Sequence, residues 1–230
     1  MTSYRGLILL LLPTAIAGQT PAPAFPLIPG QTWQYGGSAR WAGPNQTVDS
    51  GRIHWTMKIL AVRDGSTARG ALVRGWIQEL AWYHPGQSPG YSLLLARGRR
   101  LYHVAAHDSA TALDTLERAL APGAPLPQGA ELIVDSALTV GHLYGQSAER
   151  GDRPDTFYAW YVESRDAIPA RPGWSLDSAT VVQWRLVYRT MPDHQFLDLV
   201  PGLGITHYVY GHHGTVADSD VTLMSARQAP

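Results

Sequence analysis

The 230-residue chain carries 18 Lys plus Arg against 18 Asp plus Glu, and no cysteine. That balance gives no electrostatic basis for holding nucleic acid or an anionic membrane. The missing thiols exclude disulfides, thiolate catalysis, cysteine-based zinc sites and a lipidated N-terminal cysteine.

The first 17 residues read as a signal peptide, with Arg5 as the positive region, Leu7 to Leu12 as the apolar core and Ala15-Ile16-Ala17 as the small-residue site before Gly18. No later run approaches the roughly 20 apolar residues of a membrane helix. The expectation is therefore a soluble exported protein, periplasmic or extracellular, without a membrane span. Residues 18–24 are a flexible Pro/Ala leader, and residues 25–227 form a single β-rich domain. The 23 Gly and 17 Pro favour many turns over long helices.

Thr32 to Tyr35 opens the first strand. Ile53, Trp55, Met57 and Ile59 then alternate with His54, Thr56 and Lys58, the period-2 pattern of a half-buried strand. Asp64-Gly65 marks a tight hairpin, and its partner strand is expected over residues 68–83. A loop at 84–90 leads to a second hairpin, Tyr91 to Ala96 and Arg100 to Val104 about Gly98-Arg99. One helix is predicted from a capping box at Thr111 and Asp114, with Leu113, Leu116 and Leu120 at helical spacing and Pro122-Gly123 ending the run. Strand signals resume at 131–140, 156–163, 180–190, 205–210 and 215–224.

The breaks between strands suit hairpins and meanders, with no βαβ rhythm. The expected fold is mainly β: a single antiparallel, strongly curved sheet of about ten strands, half-barrel or sandwich-like, with one or two short helices. The stretch from Phe196 to Leu223 is expected to close it. Pro201-Gly202-Leu203-Gly204 supplies the corner, Ile205 and Val209 share an apolar face, and Val221 and Leu223 extend one on the return strand.

Three constellations bear on function. Gly86-Gln87-Ser88-Pro89-Gly90 matches G-x-S-x-G, but a strand follows it where a nucleophile elbow needs a helix, so it reads as a turn. His207, His212 and His213, with Asp218 or Asp220 on the return strand, are the candidate metal or acid–base groups; no H-E-x-x-H occurs, and the favoured reading is a polar turn. Trp33, Trp55, Trp76, Trp82, Trp160 and Trp184 all fall in predicted strands and are the candidate ligand-binding residues, weighed against ordinary core packing.

F-P-L-I-P-G-Q-T-W-Q-Y at Phe25 to Tyr35 resembles the opening strand of uncharacterised bacterial exported proteins. V-P-G-L-G-I-T-H-Y-V-Y at Val200 to Tyr210 is similar to their late Pro-Gly-x-Gly strand. The resemblance implies an antiparallel envelope domain, curved like the lipoprotein-carrier half-barrels, and brings no catalytic residues with it. The expected role is non-catalytic, binding a hydrophobic small molecule or an envelope protein through the curved sheet, with no cofactor. The alternatives are an envelope hydrolase using the histidine hairpin, or an assembly module without a small ligand.

Overall fold

A computed structural model of the protein describes residues 25–43, 47–145 and 150–228; the predicted signal peptide and leader lie outside the described residues. Twelve strands make one antiparallel sheet. In chain order they are β1 (Thr32–Ala42), β2 (Val48–Asp64), β3 (Ala68–Arg74), β4 (Tyr91–Arg97), β5 (Arg100–Ala106), β6 (Glu131–Asp135), β7 (Leu143–Tyr144), β8 (Trp160–Pro169), β9 (Thr180–Arg189), β10 (Asp193–Val200), β11 (Gly204–His212) and β12 (Ala217–Arg227).

Every strand pairs with its neighbour in sequence except β6 with β7, and β12 returns to pair with β1. The sheet is thus a circular meander, nearly closed into a barrel, whose first and last strands are zipped together and whose seam lies at β6 and β7. At that seam the Tyr144 hydroxyl donates to the Ile133 carbonyl at 3.0 Å. Bulges at Gln34/Tyr35, Ile59/Ala61, Leu101/Tyr102, Val162/Ser164 and Asp198/Leu199 interrupt five of the ladders. Each adds local twist, which bends a sheet toward closure.

The β2 alternation is realised as read, with Ile53, Trp55, Met57 and Ile59 buried and the residues between them exposed. These side chains enter the main core with Trp33, Tyr35, Leu94, Leu186, Leu197, Tyr208, Tyr210, Val221 and Leu223. Val209 is not among them. The tyrosines on either side of it take the core positions, and Val209 sits opposite Phe196 and Asp220. Tyr208 and Tyr210 can do so because each hydroxyl reaches a partner, Gln195 and Asp193 respectively.

Three expectations are corrected. The strand predicted over 68–83 stops at Arg74, because Gly75 takes a left-handed conformation (φ +74°) that turns the chain inward; Trp76 and Trp82 therefore lie outside any strand. The helix α1 spans Ser109–Leu120 and is capped by Asp108, whose carboxylate accepts from the Ala110 and Thr111 amides, rather than starting at Thr111. Its Ala112, Leu116, Ala119 and Leu120 form a second core with Leu72, Leu93, Leu95 and Val104 on the other side of β3–β5. Two strands, β7 and β10, bring the total from about ten to twelve.

Candidate functional site

The chain that leaves Gly75 crosses the inside of the barrel as a short 3-10 helix, Ile77–Trp82, which packs against β11 and β12. Its start is fixed by Glu79, whose carboxylate accepts from the Trp76 amide at 2.9 Å and from the Gly90 amide at 2.8 Å. One side chain thus ties the helix to the loop entering β4. Burial raises the Glu79 pKa, and the two amide hydrogen bonds only partly offset it.

From this helix a polar relay runs across the lumen. The Trp76 indole donates to Gln78 Oε1 at 2.9 Å, Gln78 Nε2 donates to Gln195 Oε1 at 3.0 Å, and the Tyr208 hydroxyl donates to the same oxygen at 3.3 Å. On the facing wall His103 stacks on Trp76 with centroids 5.5 Å apart and shares a 3.0 Å hydrogen bond with Ser92 Oγ. Burial pushes the His103 pKa down from 6.5 to about 4, so the imidazole is neutral at physiological pH. Glu131 is the cross-strand partner of His103 on β6 and shares its face. Desolvation raises its pKa too, and among the described residues it makes no hydrogen bond or ion pair.

Two adjoining cavities border this relay. One, of about 520 Å³, lies between Trp76, Glu79, Ser92, His103, Glu131 and Gln195. The other, of about 500 Å³, opens toward the seam between Tyr102, Glu131, Gly145, Trp160, Tyr188 and Gln195. Gln78, Glu131 and Gln195 line both. Each is of the size that holds a small organic molecule.

The predicted tryptophans divide. Trp76 lines the first cavity and Trp160 the second. Trp33 and Trp55 are core residues whose indoles donate to the carbonyls of Leu203 and Gly75. Trp184 is half-buried with the Arg165 guanidinium 5.5 Å from its ring centroid, and Trp82 is 54% exposed beside Tyr210 and His212.

The histidines lie apart. His207 bridges Asp198 at 3.3 Å and Asp220 at 2.8 Å; His212 pairs with Asp193 at 2.6 Å; His213 meets His194 at 3.2 Å. Asp218 pairs with Arg40 at 3.4 Å. Among the described residues no group of three or more His, Asp or Glu side chains is arranged to hold a metal ion. Arg185 completes the Asp198 cluster with two hydrogen bonds of 2.8 and 2.9 Å to its carboxylate. Burial works against both charges of the Asp198–His207 pair. The hydrogen bonds outweigh it, so the Asp198 pKa is lowered and that of His207 raised. This is an ion-pair network across β9 to β12.

No family model matches the chain, and no curated protein matches it. Among solved structures it is similar to a protein of Bacteroides fragilis designated exported, with a YmcC-like fold: 8% identity over 90% of this chain and all of that one, TM-score 0.44. It is also similar to a protein of Parabacteroides distasonis designated a lipoprotein: 10% identity over 91% of this chain and all of that one, TM-score 0.40. Likenesses this distant carry no function across.

Gln78, Glu79, Ser92, His103, Glu131 and Gln195 were not foreseen as site residues. For His103 and Gln195 the signal is a polar residue at an inward position of an alternating strand, His103 two residues after Leu101 and Gln195 two before Leu197; Gln78 and Glu79, on the 3-10 helix, carry no such signal. Ser88 of the G-x-S-x-G loop borders the first cavity, followed by β4 rather than a helix. Ser92 and His103 have the hydrogen-bonded arrangement of a nucleophile and its base, without the third group that would orient the base. The imidazole is a weak base at a pKa of about 4, and among the described residues no carboxylate hydrogen-bonds its second nitrogen.

Proposed function

We propose that this chain is an exported, non-catalytic binding protein of the cell envelope that carries a small, largely apolar molecule inside its barrel. The observation that supports this reading is the pair of adjoining lumenal cavities, walled by aromatic rings and crossed by the Gln78–Gln195 relay. Apolar walls with a few fixed polar groups are what a small-molecule site needs: the walls supply affinity and the polar groups set orientation. Export is supported by the N-terminal signal pattern, and among the described residues no helix is long and apolar enough to cross a membrane.

The test is uptake of the neutral fluorescent probe N-phenyl-1-naphthylamine by the purified mature chain. Saturable fluorescence enhancement is expected, and Ala105→Phe, which places a ring into the first cavity, should reduce it. A protein that melts cooperatively yet shows no saturable enhancement would sink the carrier reading. It would leave the partner-binding one to be pursued by affinity capture.

A further inference from the structure

We infer that the molecule held in the lumen is an organic cation, an ammonium head on an apolar body, seated with its nitrogen at Glu131. This inference rests on the carrier reading above.

Three observations carry it. First, neither cavity is lined by a lysine or an arginine, while Glu79 and Glu131 both border the first and Glu131 borders the second. A carboxylate ligand would enter a lumen with no positive charge to receive it, against two acidic groups. Second, the two acids are not equivalent. Glu79 is already occupied by the amides of Trp76 and Gly90. Glu131, an exposed residue at the start of β6, has no partner among the described residues and is the one of the two acids that lines both cavities. Third, the linings include the aromatic side chains of Trp76, Trp160 and Tyr188. Such rings attract ammonium groups through their negative faces, and more strongly where water is thinned.

The neighbouring cations do not compete for this place. Arg100 pairs with Asp135, and Arg74 lies over the Tyr91 ring without bordering either cavity. The neutral His103 adds no charge of its own. The arrangement therefore offers one unspent negative charge, aromatic side chains in the lining, and the amide side chains of Gln78 and Gln195 as hydrogen-bonding neighbours.

The experiment is displacement of bound N-phenyl-1-naphthylamine at pH 7.5 by decyltrimethylammonium, decylamine and decanoate, each below its micelle concentration. These share an apolar chain and differ in the head. Both cations are expected to displace the probe at concentrations about tenfold lower than decanoate, as one partly screened charge contact provides. In the Glu131→Gln variant, shown to be folded by a cooperative thermal melt, that preference should shrink below about threefold. Decylamine acting well ahead of the quaternary ammonium would assign the head as a protonated amine donating hydrogen bonds. The reverse order would assign it as a caged quaternary group. Decanoate displacing as well as the cations, or an unchanged preference in Glu131→Gln, overturns the inference and leaves the carrier reading standing. Failure of the wild type to take up the probe at all overturns both.

Discussion

Gln78 and Gln195 meet inside the barrel from opposite halves of the chain, the amide of one donating to the carbonyl oxygen of the other at 3.0 Å. Because both also line the two cavities, this single hydrogen bond joins the 3-10 helix to β10 and sets the partition between them.

Replacing Gln195 by Leu would leave the Gln78 amide and the Tyr208 hydroxyl without their shared acceptor. We expect a loss of about 1–3 kcal/mol, the usual cost of stranding buried polar groups. Gln195→Glu, which keeps an acceptor, should lose less. Urea unfolding of the three proteins measures it, and equal losses would show that the relay is not what holds the helix.

Much of the fold is legible in the sequence because β strands announce themselves by alternation. Ile53 to Ile59 could be placed inward from the sequence, and the Asp64-Gly65 and Gly98-Arg99 hairpins lie where expected. The site was much less legible. Its walls depend on Trp76 leaving the sheet, a departure set by Gly75 and by a hydrogen bond from Gly90 to Glu79, eleven residues away. Periodicity carries no trace of such contacts. The histidines misled for a related reason: His207, His212 and His213 lie close in sequence, but adjacent positions on a strand point to opposite faces, and each finds a different partner.

The Asp198 carboxylate is only 2% exposed and depends on Arg185 and His207 to compensate its charge. Arg185→Leu should cost about 3 kcal/mol, because it leaves a buried charge with half its partners. His207 adds a pH signature. Its raised pKa makes its contribution complete below 6.5 and progressively lost as pH rises through the higher folded value. The stability lost in His207→Gln should therefore be larger at pH 5.5 than at pH 8.5. A loss that is the same at both would mean that the imidazole gains nothing from its two carboxylates.

His103 acts in the opposite sense. Its folded pKa of about 4 lies below the ordinary 6.5, so the unfolded chain takes up a proton that the native protein refuses. Stability should fall as pH drops from 6.5 to about 4 and change no further from this group below that, a total of about 3 kcal/mol at 1.36 kcal/mol per unit. Glu79 and Glu131, whose pKa values are raised, oppose part of this in the same range. The clean reading is accordingly the difference between wild type and His103→Gln, followed by chemical unfolding at steps between pH 7 and pH 4. The variant should lose much less stability over that interval, and parallel curves would place the acid sensitivity elsewhere.

The closing strands meet at their tightest near Gly37 of β1, opposite Val221 of β12. A Cβ added at Gly37 would collide with the Asp220 carbonyl oxygen and come within 2.7 Å of Val221 Cα, both backbone atoms with no freedom to yield. At the adjacent Gly36 the nearest atom is Cγ of Met224, 3.3 Å away on a side chain that is 63% exposed and able to swing aside. Gly36→Ala should therefore change the melting temperature little. Gly37→Ala should cost about 3 kcal/mol or more, since it forces apart the one ladder that joins the two ends of the chain. Hydrogen exchange locates the effect: amides of β1 and β12 should lose protection ahead of those under α1, whose separate core does not touch this ladder. If both variants melt alike, the β1–β12 closure is not the constraint that completes the barrel.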